Sequence, residues 1–559
     1  MAEIEGSALV AEALREQGAD MVFTVVGGPV IEAVGFCGDA GVRPIGVRHE
    51  QAAVMMAQAY QYVGGKPGVA LLASGPAVTN GITGAHVAYD NCWPVLILGG
   101  SSALRQRGRM AFQETDSVTM MRPVTKWAAQ VDSAERIPEM IAMAMRYMMS
   151  GRPGPVYLDL PSDVLSAKVD EDRVPRPAAV RFAPPPAADP VSIDRAADLL
   201  LNAERPLLLI GKGVRWSERF DDLRELVETL ALPFVPSPMG RGFIPDDHPL
   251  CMNAARSTAM RGADVVLLLG ARLNWMFGNG RGLARDAQII QVDIDPAEIG
   301  LQRPVEVGLT GDAGAVVRQL LTAIEERAQG VAEARAEGAW LADLRAARQK
   351  NEEVLQPQLD ADALPMTPHR LLRELRDVLP REAIITVDGQ VILSAGRQVL
   401  QSYTPASRLN SGSNGCMGVG VPFAIGAKLA RPNVPVLSVN GDAAFGFNGM
   451  EIETAVRTGA SVVFVVDNNQ GIMGSVLERR MFHTEHDERV AMYTPAARYD
   501  KIMEAFGGHA EHVEQPEEIG PAIRRAFASG RAALVDVTVD PAAIWPVPTA
   551  GRASALMGY

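Results

Sequence analysis

Apolar residues in this chain come in short consecutive runs, each closed by glycine or a polar residue, and the stretches between carry apolar positions at helical spacing. Runs of that kind predict inner strands of parallel sheets, buried on both faces, and the periodic stretches predict crossover helices. The first group of runs is Met21–Gly28, Pro44–Glu50 leading into the helical QAAVMMAQAYQYV, Gly68–Ser74 and Pro94–Gly100. The second is Pro206–Gly213, Asp264–Trp275 and Ile289–Pro296; the third is Ala383–Gln390, Val434–Asp442, Ser461–Asn469 and Ala533–Asp540. Proline-rich Val174–Pro190 reads as an extended linker, and the charged, alanine-rich Glu325–Asp360 as a helix running into a loop. The expected fold class is α/β: three consecutive parallel-sheet α/β domains over residues 1–170, 190–325 and 365–540, then a C-terminal tail over 541–559. No exact internal repeat accompanies the pattern, so duplication of one fold is expected from pattern alone.

Length and charge narrow the possible partners. A chain of 559 residues has ample surface to bury several cores. A formal net charge of -13 argues against binding nucleic acid or an anionic membrane, so a polyanionic ligand would be met by local arginines. Cys37, Cys92, Cys251 and Cys416 are scattered without ligand-spaced companions, which indicates neither a disulfide framework nor structural zinc; a cytoplasmic location is expected. The opening MAEIEGSALVAEALREQG is acidic and amphipathic, unlike a secretory signal, and no apolar run approaches membrane-spanning length.

The densest chemistry lies between Gly441 and Gly471. A strand expected over Val434–Val439 runs into Gly441-Asp442, a helix is expected from Gly449 to Arg457, and a second strand, Ser461–Val466, ends in Asp467-Asn468-Asn469. Two parallel strands thereby deliver acid and amide groups to one carboxyl-terminal edge, where open α/β sheets bind ligands. The Asp442 carboxylate, the Asn469 side-chain oxygen and the Gly471 carbonyl form an oxygen set suited to Mg2+. Gly441, Ala443 and Ala444 are small enough for backbone N–H groups to approach phosphates closely.

This Gly-Asp followed by Asn-Asn resembles the diphosphate and metal motif of thiamine diphosphate enzymes, and the block order matches their pyrimidine-binding, middle and diphosphate-binding domains. GDAAFGFNGME, VVLLLGARLNW, QVDIDPAEIG and GRPGPVYLDLPSDV are similar to the branch of 2-hydroxyacyl-CoA lyases and oxalyl-CoA decarboxylases. Ala443 departs from the glycine usual there and leaves the metal ligands untouched. The resemblance implies thiamine diphosphate and Mg2+ as cofactors, with Glu50 as the carboxylate facing N1' of the aminopyrimidine and its proton affinity raised by burial. Taken alone, His49-Glu50 reads as a helix-start carboxylate. The resemblance also implies that SNGCMGVGVPFAIGA bends the cofactor, Met417 acting as wedge and the Gly415 carbonyl as acceptor. Gly389 and Gln390 are implied contacts to the diphosphate, and Ile472 and Met473 close over it. Relatives hold the cofactor between subunits, which implies a homodimer at least and commonly a homotetramer.

In the middle block, Gly211, Lys212, Gly213, Arg272, Asn274, Asp293, Ile294 and Asp312, together with Arg152, match places where relatives hold an adenine nucleotide. That nucleotide is FAD in acetolactate synthases and ADP or the nucleotide end of CoA in the acyl-CoA branch; Arg408 is a further candidate for contacting CoA. Arginine forks suit phosphate oxygens, and each residue singly is equally an ion-pair partner. At the substrate end, Phe112-Gln113-Glu114 resembles the corresponding run of the lyases, whereas oxalyl-CoA decarboxylases carry Tyr-Glu at the first two places. The expected activity is therefore cleavage of a 2-hydroxyacyl-CoA to formyl-CoA and an aldehyde or ketone through the thiamine diphosphate ylide. Gln113 and Glu114 join the expected catalytic set. The base for the hydroxyl proton is sought in Glu114 or in His483, Glu485, His486 and Glu488, a cluster that otherwise reads as an exposed charged helix. The tail would order as a lid over the thioester. An oxalyl-CoA decarboxylase, an acetolactate synthase-like carboligase and a catalytically silent nucleotide-binding scaffold stand as alternatives. Glu50 together with Asp442 and Asn469 argues against the last.

Overall fold

The computed structural model describes residues 2–180, 185–481 and 489–543. The apolar runs form three parallel sheets. The first has the strand order Arg43–Gly46, Met21–Val25, Val69–Ser74, Val95–Ser101, Pro155–Pro161, Trp127–Gln130. The third runs Arg408–Leu409, Ile384–Asp388, Val436–Gly441, Val463–Asn468, Ala533–Thr538, His509–Val513. Counted along the chain, both orders are 2-1-3-4-6-5, so two domains without a repeated sequence share one topology. The middle sheet, Phe234–Pro236, Pro206–Ile210, Val265–Leu269, Gln288–Asp293, Val307–Thr310, has the doubly wound order 2-1-3-4-5.

In all three sheets the order in which strands are added reverses between the first and third strands. A crevice opens there beyond the carboxyl ends, and the turns at that point are the natural ligand-holding positions of the fold. Val25, Ser74, Ile210, Leu269, Asp388 and Gly441 are the strand ends bordering these three crevices.

One shared core welds the first and third domains. The helices Glu50–Gly64 and Gly420–Ala430 are apolar nearly all round and pack against each other. A Cβ on Gly426 would fall 2.4 Å from the Met56 carbonyl oxygen, so the approach of the two backbones requires glycine there. The segment expected to start as a helix at Glu325 forms two, Val331–Ala336 and Ala339–Leu359. Among the described residues no helix is long and apolar enough to cross a membrane, and the four cysteines are free.

Candidate active site

The two strands that carry the Gly-Asp and Asn-Asn motifs end two residues later than their sequence pattern indicates, at Gly441 and Asn468. Asp442 and Asn469 consequently stand immediately beyond adjacent strand ends, Gly441 lying opposite Asp467 in the register. The helix expected at Gly449 begins earlier, as Asp442–Asn448, with a short turn at Gly449–Glu451 and a second helix over Ile452–Thr458. Asp442 is buried; its Oδ1 accepts from Ala443 N at 2.6 Å and its Oδ2 from Gly471 N at 2.9 Å. Burial raises its carboxyl pKa to about 7. The Asn469 amide lies 2.8 Å from the Gly471 carbonyl oxygen and 3.3 Å from Asp442 Oδ1. With its nitrogen inward it donates to both; with its oxygen inward, three oxygens meet, an arrangement that a divalent cation would favour.

The loop behind this set is held taut. Gln470 and Met473 occupy left-handed backbone at φ 63° and 58°, which favours glycine. Ile472 N donates to Ala491 O and Tyr493 N to Gln470 O, both at 2.8 Å, so the Gly471 carbonyl is aimed by a fixed frame. Gly389, at φ 112°, stands at the other wall of the crevice, where a Cβ would lie 3.1 Å from Gly441 N. Gln390 opens the helix Gln390–Val399.

Two acids position these loops, and sequence reasoning gave neither a role, although Glu451 closes the GDAAFGFNGME run. Buried Asp388 accepts from Gly418 N and Gly420 N at 2.8 and 2.9 Å, fixing the loop of Gly415 and Met417, and burial raises its pKa to about 6. Glu451, also buried, accepts from Arg48 N and His49 N at 2.9 and 3.0 Å, which ties the turn before Glu50 to the third domain; burial raises its pKa to about 7. A lone acid next to an apolar strand or helix offers no spacing to read, although its burial has to be compensated.

At the first crevice, Glu50 begins the helix Glu50–Gly64 and accepts from Asn80 Nδ2 at 2.9 Å. It is half-exposed, so the burial expected of it is not supplied by its own chain. Gln113, at φ 57°, lies over Gly75 and takes the Ser74 hydroxyl on its Oε1 at 2.5 Å, which places its amide at the end of the third strand. Glu114, among the expected bases, accepts from Gly108 N and Ala111 N, closing its own loop, and these bonds lower its pKa. Phe112 projects outward, 80% exposed.

The middle crevice opens into a cavity of about 520 Å3 lined by Arg152, Gly211, Lys212, Gly213, Arg272, Asn274, Asp293, Ile294 and Asp312. Both Gly211 and Gly213 allow close backbone contact with Gly270, across the switch point. Lys212 Nζ reaches Asn91 Oδ1 at 2.6 Å and Arg272 Nη2 reaches Asp90 O at 2.7 Å, so both cations also cap the first domain's helix Pro76–Asn91. Burial lowers the Lys212 pKa to about 8 and raises that of Asp293 to about 6. Glu298 pairs with Arg152 and stands 3.8 Å from Arg272.

Arg408 does not join that cavity. It is 1% exposed inside the third domain, where Nη2 donates to Gly396 O at 2.9 Å near the end of a helix, and burial lowers its pKa to about 9. An arginine in a polar sequence reads as surface, but helix-terminal carbonyls can hold it in the interior. His483, Glu485, His486, Glu488 and the tail from residue 544 lie outside the described residues. The last described tail residues begin beside the cation loop, Ser475 N donating to Pro541 O at 2.7 Å.

Comparison with known proteins identifies the three domains. Residues 4–120 match the N-terminal TPP binding domain of thiamine pyrophosphate enzymes, 193–320 their central domain and 389–537 their C-terminal TPP binding domain. The chain is 36% identical over 554 residues to 2-hydroxyacyl-CoA lyase 1 of Homo sapiens, covering 97% of this chain and 95% of the relative. It is 35% identical over 547 residues to oxalyl-CoA decarboxylase of Escherichia coli K12, covering 96% and 95%. An acetolactate synthase large subunit of Mycobacterium tuberculosis is 36% identical over 541 residues, with 96% of each chain covered. With its three matched domains in order and relatives aligned along nearly their whole length, the chain belongs to the thiamine diphosphate enzyme family.

Proposed function

We propose that the protein cleaves the bond between C1 and C2 of a 2-hydroxyacyl-CoA, giving formyl-CoA and an aldehyde or ketone. The observation that carries this reading is Gln113, a neutral amide pinned through its Oε1 by Ser74 at the same crevice as Glu50. A 2-hydroxyl oxygen is matched by the amide NH2 that this bond leaves free, whereas oxalyl-CoA brings a carboxylate beside the reacting carbon and would gain more from a cation. Decarboxylation of oxalyl-CoA is the second reading, favoured by the 35% identical relative that performs it.

Mg2+ would be held by Asp442, Asn469 and the Gly471 carbonyl, and the diphosphate by the backbone of Gly389, Gln390, Gly441, Ala443 and Ala444. Ile472 and Met473 would cover it, and Met417, with Gly415, would set its bend on the loop that Asp388 fixes. When bound, thiamine diphosphate supplies an electron sink for the pair released as the carbon–carbon bond breaks. Glu50 would share a proton with N1' of the aminopyrimidine. Gln113 would orient the substrate hydroxyl, whose proton must leave as the carbonyl product forms. With Glu114 engaged in its own loop, His483 and Glu485 are the proposed source of that base.

Exposed Val26, Phe112, Phe447 and Met450 follow strands of the first and third domains on the carboxyl side, and apolar side chains left in the open there support a second subunit covering them. The active unit is then a homodimer at least, with a homotetramer as its fuller form, and free thiols support a cytoplasmic setting. A panel of acyl-CoA thioesters with Mg2+ and thiamine diphosphate tests the activity. Formyl-CoA with a carbonyl product from 2-hydroxyacyl-CoA is the expected result; carbon dioxide from oxalyl-CoA alone would overturn it.

The middle cavity is proposed to hold ADP, its phosphates facing Arg152, Lys212 and Arg272. Lys212 is charged below about 8 and neutral above, so ADP affinity should fall as pH rises through that value. Calorimetric titration from pH 7 to 9 checks this, and Lys212→Ala should bind more weakly at pH 7 and lose the dependence.

A further inference from the structure

Asp467 is the one acid of the Asp-Asn-Asn run to which neither the motif nor the cofactor reading gives a task. It is 1% exposed, and neither of its carboxylate oxygens has a hydrogen-bond partner among the described residues. It shares a strand face with Val463 and Val465, which belong to the apolar cluster of the third domain, and its cross-strand neighbours are Gly441 and Val537. Nothing in that packing calls for a carboxylate. Burying a carboxyl group without partners is costly, and Asp467 stands opposite Gly441, the residue before Asp442, in the strand register. A cation at the Asp442, Asn469 and Gly471 oxygens would give that carboxylate an opposite charge to face.

We propose that Asp467 is a second carboxylate of the cation site, strengthening its hold on the metal by charge from behind Asp442. The inference rests on the cation reading of that site and adds a positioning residue to it. Its chemistry is purely electrostatic: no bond to the metal is required, and the affinity gained should scale with the charge of the ion.

That scaling separates charge from structure. Asp467→Asn keeps the shape and removes the charge, and Asp467→Ser removes the charge with a different shape. Ca2+ and Tb3+ take similar oxygen ligands and are close in size, so they differ mainly in charge. Affinities are read in full-length protein with thiamine diphosphate, Ca2+ by calorimetry and Tb3+ by luminescence, with turnover playing no part. Both variants should lose about 10-fold in Ca2+ affinity, the order seen for groups supporting a metal from outside its ligands. The loss for Tb3+ should be about 30-fold, the 3:2 ratio of charges applied to the logarithm. Equal losses for both ions, or none, would overturn the proposal while leaving the cation site standing. Absence of any Ca2+ or Tb3+ binding to the unmodified protein would remove the cation reading and the proposal together.

Discussion

Asp442→Ala is expected to lower kcat/KM about 1,000-fold, because it removes the central carboxylate of the cation set and leaves the Ala443 and Gly471 N–H groups without their acceptor. The defect should lie in cofactor retention. Dialysis should strip thiamine diphosphate from the variant and not from the parent, and the apparent Mg2+ requirement should rise steeply. Because the Ile472 and Tyr493 N–H groups hold the loop through the Ala491 and Gln470 carbonyls, independently of Asp442, the loop itself should keep its fold. Retained cofactor with lost turnover would mean that Asp442 serves the reaction and not the cation.

Glu50→Gln should have the opposite profile. The amide keeps the size of the side chain and its contact with Asn80 but cannot share a proton, so binding of thiamine diphosphate should change little while kcat falls by about 100- to 10,000-fold. Exchange of the cofactor's C2 proton, followed by NMR, should slow by a similar factor. The two variants also test whether one site draws on two chains. Mixed and allowed to exchange, Asp442→Ala and Glu50→Gln protomers should form hybrids in which one of the two sites is intact. Random exchange puts half the dimers in that class, so activity should return to about a quarter of the parent's. No recovery would place Glu50 and Asp442 in the same protomer's site.

Most of the scaffold was legible because inner parallel strands are nearly continuous apolar runs, and such runs are difficult to disguise. Their ends were less so. Asn440-Gly441 and Asp467-Asn468 continue the pairing although none of them carries an apolar side chain, since the neighbouring strands supply the hydrogen bonds whatever the side chain. The helix beginning at Asp442 was hidden by the glycines within GDAAFGFNG, and tertiary packing outweighed their weak propensity. In the site, the groups that would touch a ligand are marked by their motifs, whereas the task of those that hold them is not. Asp388 and Glu451 act through backbone N–H groups donated by residues 30 or more positions away, and no local spacing records such a bond. Arg408 shows the converse: its type suggested a phosphate, while it lies buried and donates to one carbonyl near a helix end.

The taut loop after Asn469 also bears on any attempt to make this protein more heat-resistant. Gln470 and Met473 each hold a backbone shape that costs a side-chain-bearing residue about 1 kcal/mol, so glycine at either place is locally favourable. Selection for melting temperature alone would therefore be drawn to these two positions. A slacker loop would let the Gly471 carbonyl drift, trading retention of the proposed metal for durability of the empty chain. Consensus or directed-evolution libraries are better aimed at the long exposed helix Ala339–Leu359, where surface substitutions leave the cation's frame untouched.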